Sequence, residues 1–462
     1  MGNVRIHVTY AAILLCFLLP ISSSVGYYRR QLKRSVNTEY CFCELNGKVD
    51  ECCCDVEAVE ELVDKLHPQL QKLLLSPYFR FFRIALDRPC PFWTENGGCV
   101  LKGCSVSPCD EKDVPTGIKA QSIDGARFAG KVNGVPSCSR EQELSSVDGT
   151  ISDTNRRVFS EWRRHDASDS FCHLDEENST HLEYVDLTIN PERYTGYRGE
   201  STHRIWNAIY RENCFRPKSA PAAMPFIPSS MLSSLCREKR AYYRIVSGLH
   251  ASINVHLCAK YQLGLAEEFG PNQEEFAKRF DPSTTNGEGP QWLKNLYFTF
   301  LMVLRAVIKA ENLWRSELFY TGDGKVDRFV KEQVTRILAS THSCPSTFDE
   351  TMMFTSESAP HLKREVQSHF KNISLIMDCV GCQRCRLWGK LQVQGLGTAM
   401  KILFNGEQYS SGLGGALQRT EIVALFNTLG RLADSINSLK VFRRPNGDAG
   451  KPRQHADKTT EL

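Results

Sequence analysis

Cysteine constrains this chain more than any other feature: 19 of its 462 residues are Cys. They are clustered. Cys41, Cys43, Cys52, Cys53 and Cys54 crowd one short segment, and Cys90, Cys99, Cys104 and Cys109 share a stretch rich in Gly and Pro. Cys379, Cys382 and Cys385 fall within seven residues of one another. A chain this long can bury a core without covalent staples, so this cysteine content predicts that some sulfurs react rather than brace. An oxidising compartment is where the rest would form disulfides. The N-terminus agrees with that setting. Arg5 precedes the unbroken apolar run Ala11–Leu19, and the small residues Ser22, Ser23, Ser24 and Gly26 follow, the pattern of a secretory signal over residues 1–26.

Composition removes several other classes. Net charge is +4, from 57 basic and 53 acidic residues, which leaves no electrostatic footprint for nucleic acid. The most apolar internal stretch, Leu296–Leu304, is bounded by Lys294 and Arg305 and is too short to span a bilayer; it predicts a buried helix. Two glycosylation sequons, at Asn178 and Asn372, fit a lumenal or secreted chain.

The apolar spacing is helical. Tyr242, Ile245, Leu249, Ile253 and Leu257 recur every three or four residues, and Ser247, His250 and Asn254 form a polar stripe beside them. Ile422, Leu425, Leu429, Leu432, Ile436 and Leu439 repeat the pattern. Asp55 can cap a helix carrying Val56, Val59, Leu62 and Leu66, after a turn at Gly47. Residues 111–155 read as a long flexible loop, and the proline-rich stretch between Cys214 and Cys236 as a loop that a disulfide could close. The fold class is mainly α: one helical domain over 27–442 with long cysteine-rich loops, and a polar, disordered tail over 443–462.

Cys382 and Cys385 form a Cys-x-x-Cys. At i and i+3 on a helix the two side chains share a face, so their sulfurs can bond. A helix N-terminus, with Arg384 and Arg386 nearby, favours the thiolate that disulfide exchange requires. Such a pair can also bind zinc, but the chain contains no separate second pair, since Cys379-Val-Gly-Cys382 shares Cys382 with it. Three cysteines at this spacing can bind an iron–sulfur cluster, but no fourth ligand lies close in sequence. Cys99 and Cys104 are a second close pair. Spacing alone leaves them equally open as a loop-closing disulfide or as a mobile pair that carries electrons to an inner one.

Several motifs occur together and in order: Cys41-Phe-Cys43, Arg88-Pro-Cys-Pro-Phe-Trp93, Asn190-Pro-Glu-Arg-Tyr-Thr-Gly-Tyr197, Ser247-Gly-Leu-His-Ala-Ser252, Leu293-Lys-Asn-Leu-Tyr-Phe298, the run Asp378–Lys390, and Gly395-Leu-Gly-Thr-Ala399. On these, the chain closely resembles the endoplasmic reticulum oxidoreductins, flavin-dependent thiol oxidases, over about Cys41–Phe442. The resemblance implies a helix-bundle core binding FAD. It implies that Cys99 and Cys104 shuttle electrons from a protein disulfide isomerase to Cys382 and Cys385, with Cys385 nearest the flavin, and that dioxygen is the final acceptor and leaves as hydrogen peroxide. It places FAD contacts at Arg193, Thr195, Trp206, Ser247, His250 and Arg279. It implies structural disulfides Cys90–Cys379, Cys41–Cys54, Cys43–Cys52 and Cys214–Cys236. Cys109 and Cys138 would be regulatory, capturing the shuttle as Cys104–Cys109 and Cys99–Cys138. Trp292 stands where some relatives carry a basic residue that helps hold the cofactor.

The chain is thus expected in the endoplasmic reticulum lumen, with peripheral contact to the membrane's lumenal face left open. Its last residues, Lys458–Leu462, are not a Lys-Asp-Glu-Leu retrieval signal, so retention would fall to a partner. No metal site is expected. Cys53, Cys172, Cys258 and Cys344 are left without a role, Cys172 and Cys258 as buried thiols. The rival readings are a disulfide-rich lumenal binding protein without turnover and a metal-binding cysteine protein.

Overall fold

Wherever apolar residues recur at three and four, the chain is helical. It runs α1 (Val56–Leu74), β1 (Phe81–Ile84), β2 (Glu183–Asp186), α2 (Glu200–Glu212), α3 (Arg237–Ala259), β3 (Tyr261–Gln262), β4 (Phe269–Gly270), α4 (Gln273–Phe280), α5 (Gly289–Lys309), α6 (Gly324–Thr341), α7 (Ala359–Ile376), α8 (Gln383–Phe404) and α9 (Arg419–Arg443), with short helical turns between. The computed structural model describes residues 45–92, 103–119, 170–175, 181–192, 200–221, 226–263, 269–316, 319–341, 348–405 and 417–443. Apart from Arg443 these lie in the unit Glu44–Phe442. The signal segment and the tail fall outside them. Among the described residues no helix is long and apolar enough to cross a membrane.

The apolar face expected on α3 is buried in full, and so is every residue of α5 from Leu296 to Leu304. α3 and α5 pack against each other closely enough that a Cβ on Gly248 would lie 2.3 Å from the Asn295 carbonyl oxygen. The approach of α8 to α9 is equally tight at Gly395, where a Cβ would meet Thr428 Oγ1 at 2.1 Å and the Ala424 carbonyl at 2.4 Å. α9 differs from its sequence reading. A single apolar stripe was expected, but the helix is buried on nearly every side, Asn427, Thr428 and Ser435 included. Two of these polar groups are hydrogen-bonded: Asn427 donates to the Phe79 and Val423 carbonyls, and Ser435 Oγ meets Ser252 Oγ at 2.5 Å, whereas Thr428 Oγ1 makes no hydrogen bond among the described residues.

Two expectations are corrected. Asp55 does precede α1, but its side chain makes no capping bond. Instead the Val56 N–H donates to the carbonyl of Gly47, which holds φ at +73° in the turn before it, a conformation that favours glycine. The segment after Cys109 is not all loop either. Residues 111–119 form short helical turns, because Val114 and Ile118 sit four apart and bury against Phe81 of β1. β1 pairs antiparallel with β2, Phe81 opposite Asp186 and Ile84 opposite Glu183.

Candidate redox site

α8 begins immediately after Cys382, which occupies the N-cap in extended conformation (φ −80°, ψ 115°), and Cys385 lies in the first turn. Both are buried, at 4% and 0% exposure. The two are hydrogen-bonded thiol to thiol, and that bond, then burial, then the negative charges of Cys382 and Glu192 push the Cys385 thiol well above the usual range. The thiolate-favouring effect expected of a helix N-terminus is thus outweighed at Cys385 by its surroundings. Glu192 is itself buried and paired with Arg431 of α9 at 2.5 Å.

A rigid base supports this turn. Cys90 and Cys379 form a disulfide that joins chain segments 289 residues apart. Around it, Lys390 Nζ donates to Asp175 Oδ1 at 2.8 Å, to Asp378 Oδ1 at 2.7 Å and to the Ala85 carbonyl at 3.0 Å. Arg88 reaches Asp175 at 3.0 Å and Asp378 at 3.7 Å. Burial raises the Asp378 pKa even against Lys390. Arg386 is buried with its guanidinium donating to the Val380 carbonyl at 2.8 Å and the Leu86 carbonyl at 2.6 Å. Both arginines expected to lend charge near the pair therefore also fasten backbone; burial lowers the Arg386 pKa, with Asp378, Asp87 and Cys382 opposing.

A strip of chain from Cys104 to Cys109 lies against the start of α8. The Arg384 N–H, unsatisfied within its own helix, donates to the Cys104 carbonyl at 2.9 Å. Arg384 Nε donates to the Ser105 carbonyl at 3.0 Å, and Gln383 Oε1 accepts from the Val106 N–H at 3.0 Å. Farther along, Pro108 bridges to Val185 and the Cys109 N–H donates to the Tyr184 carbonyl of β2. Cys104 is disulfide-bonded, whereas Cys109 is a free thiol, so the Cys104–Cys109 capture does not exist in this structure. Cys99 and Cys138 fall outside the described residues.

From Cys385 a cleft runs between Val380, Ile205, Leu249 and Ile253 to Trp206 of α2. Next to it are four of the six expected cofactor contacts; Arg193 and Thr195 lie outside the described residues. Trp206 and His250 stack on each other, centroids 3.8 Å apart and 20° from parallel, instead of presenting two open faces. His250 Nδ1 meets the Tyr210 hydroxyl at 3.2 Å. Burial first, then the charge of Arg279, holds the imidazole down at about 3. Ser247 Oγ accepts from Asn295 Nδ2 at 3.0 Å, and Arg279 donates to Asn254 Oδ1 at 2.7 Å and to Glu275. Each member of the polar stripe on α3 is therefore hydrogen-bonded, with Ser247 buried. Trp292 extends its aromatic side through Phe226, which lies 5.9 Å from both Trp292 and His250.

Other cysteines depart from the expected bridges. Cys214 and Cys236 are free thiols. Cys236 starts α3 with its sulfur turned onto the Lys239 N–H and the Glu238 carboxylate, while Cys214 is wholly buried. Cys52 is also a free thiol, pushed up to about 12 by burial, so it is not bridged to Cys43; Cys43, Cys41 and Cys344 fall outside the described residues. Cys172 is buried, donating to the Val393 carbonyl at 3.3 Å, and Cys258 is buried as well; Cys53 is exposed. Among the described residues no cluster of His, Cys, Asp and Glu could hold a metal ion. Sequence reasoning missed Asp175, and the roles of Asn190, Glu192, Asp378 and Lys390, though the last four stand inside motifs it had singled out.

Known proteins are similar to this chain over most of its length. Residues 65–439 match the family model for Endoplasmic Reticulum Oxidoreductin 1 (ERO1). The chain is 43% identical to an Ero1-like protein of Drosophila melanogaster, over 94% of this chain and 96% of that one. It is 44% identical to ERO1-like protein alpha of Homo sapiens, over 87% and 91%. A solved structure of S. cerevisiae Ero1p in which two cysteines are replaced by alanine superposes with a TM-score of 0.55 at 29% identity, covering 84% of this chain and 96% of that one. A second Ero1p structure, described as a source of disulfide bonds for oxidative protein folding in the cell, gives 0.56 at 26% identity, over 84% and 96%. A mainly helical fold, a Cys-x-x-Cys at the head of a buried helix and full-length similarity converge: the chain belongs to the Endoplasmic Reticulum Oxidoreductin 1 family of oxidoreductases.

Proposed function

We propose that this chain is an FAD-dependent thiol oxidase of the endoplasmic reticulum lumen that introduces disulfides into protein disulfide isomerase family proteins for oxidative protein folding. One observation carries the reading. The strip holding Cys104 is bonded to the first turn of α8, where Cys382 and Cys385 sit, and Cys385 in turn lines the cleft that ends at Trp206. That continuity supports an order of donor, relay and acceptor.

In this relay a reduced isomerase attacks the Cys99–Cys104 disulfide through a mixed disulfide and leaves oxidised, with both shuttle cysteines as thiols. Those thiols reduce the Cys382–Cys385 disulfide in the same way, so each passage moves two electrons and two protons inward. The lining of the cleft suits a flavin: it is largely apolar and includes both Trp206, which stacks on His250, and Cys385. Trp206, Ser247, His250 and Arg279, with Arg193 and Thr195, would hold FAD. When bound, FAD would accept the electron pair from the inner dithiol and pass it to dioxygen, with hydrogen peroxide as product. His250, held neutral, adds no charge to the stack, and Arg279 offers a guanidinium suited to a pyrophosphate. Cys109 and Cys138 are proposed as the regulatory pair, because a captured shuttle cannot exchange.

The test is the visible spectrum of the purified mature protein. A flavin spectrum that bleaches under reduced isomerase without oxygen and returns in air is expected, and Cys382→Ala should abolish the bleaching. A colourless protein with its disulfides complete would overturn the reading in favour of a binding protein.

A further inference from the structure

Asn190 has 0% exposure and no redox chemistry of its own. Its side-chain Oδ1 accepts from the Ser107 N–H at 2.8 Å, while its Nδ2 donates to the Ser107 carbonyl at 2.9 Å and to the Asp186 carbonyl at 3.0 Å. Its own carbonyl accepts from Trp388 Nε1 at 2.8 Å. One amide therefore pairs with both backbone groups of a single strip residue, as a neighbouring strand would, and ties the same point to α8. Pairing through two parallel bonds fixes direction as well as distance. On the other side, Gln383 and Arg384 hold residues 104–106. Every contact that Asn190, Gln383 and Arg384 make to the strip goes to its backbone, so they position the strip whatever its side chains do.

We propose that Asn190 is a positioning residue for electron transfer between the outer and inner cysteine pairs, clipping the Cys104 strip to the helix that begins at Cys382. The proposal rests on the relay reading. In that relay the Cys104 thiolate attacks Cys382 Sγ, and the Cys382–Cys385 bond breaks to leave Cys385 as thiolate. Cys99 then attacks Cys104 and breaks the Cys104–Cys382 bond. The outer disulfide is restored and the inner pair is left as a dithiol, so two electrons pass and no outside oxidant is needed. Exchange needs the attacking sulfur in line with the bond it breaks, so its rate follows how often the strip is correctly placed. The clip raises that fraction without touching a sulfur.

The test uses the full chain, loaded with FAD, and reduced isomerase as substrate. Asn190→Ala should lower kcat roughly tenfold and Gln383→Ala severalfold, both with KM unchanged, because the isomerase meets the shuttle pair and not the clip. Hydrogen exchange at the Ser107 and Arg384 amides should accelerate in the same variants. Gln383 is exposed, so its truncation tests the clip without threatening the fold. Wild-type kcat in both variants, with turnover abolished by Cys104→Ala, would overturn the clip. A Cys104→Ala enzyme that turns over normally would instead overturn the relay.

Discussion

The head of α8 is attached to the preceding chain at two places, and the two attachments differ in kind. At Cys90–Cys379 the bond is covalent, and four charged side chains, Arg88, Asp175, Asp378 and Lys390, surround it with little exposure. At residues 104–107 the contacts are hydrogen bonds from Asn190, Gln383 and Arg384 to backbone, several of them near solvent. A buried ion network is hard to open, because separating it strands charge in a low dielectric. Amide-to-backbone bonds near solvent open at little net cost, because water replaces them. One attachment holds and the other can let go, which is the division a shuttle needs.

The largest expected effect strikes the holding attachment. Replacing both Cys90 and Cys379 by Ala should destabilise the fold by about 5 kcal/mol, the upper end of the loss seen on removing a disulfide, because the covalent loop is so long. Urea unfolding followed by far-UV circular dichroism measures it, and an unchanged midpoint would break the comparison. Lys390→Met comes next. It leaves Asp175 and Asp378 with Arg88 as their remaining shared cation and should cost about 3 kcal/mol in the same assay.

A pH series gives the smallest effect and separates global from local stability. The strip is held by amides, backbone and an arginine, with no imidazole or carboxylate among these bonds, so protection of the Ser107 and Arg384 amides should stay flat between pH 5 and 8. Global stability should not stay flat. His250 is held down at about 3 in the fold, whereas an unfolded chain protonates it near 6.5. Its contribution is therefore complete above pH 6.5 and is lost as pH falls through that value, at about 1.4 kcal/mol per pH unit. His250→Gln should reduce this slope and leave the share of His256, whose imidazole burial likewise holds down. A slope unchanged in the variant would assign it to other groups.

The helices and the reactive pair were legible in the sequence because their signals are local. The spacing from Tyr242 to Leu257 lies within a few turns, and Cys382 and Cys385 are three residues apart. What stayed hidden is long-range pairing. Arg384 meets Cys104 across 280 positions, and Asn190 meets Ser107 across 83; neither leaves a periodic trace. Asp175 has no motif around it and gains meaning only beside Lys390. Cys214 and Cys236 show the opposite error: closeness in sequence suggested a bridge, but the Cys236 sulfur turns onto its own helix start instead. Gly395 stood in a recognised motif, yet its reason is steric and appears only where α9 comes near.

That approach has a mechanical consequence. At 1.5 Å per residue, Gly395 lies about 15 Å along the helix axis from Cys385. A backbone wedged against Ala424 and Thr428 there can neither roll nor slide without collision. The accepting sulfurs are therefore stationary, and all travel in the proposed relay belongs to a few residues of peptide. Segments that small diffuse in nanoseconds to microseconds. Thickening the solvent should then scarcely slow the inward hop, and friction would be felt only where a whole isomerase must arrive and depart.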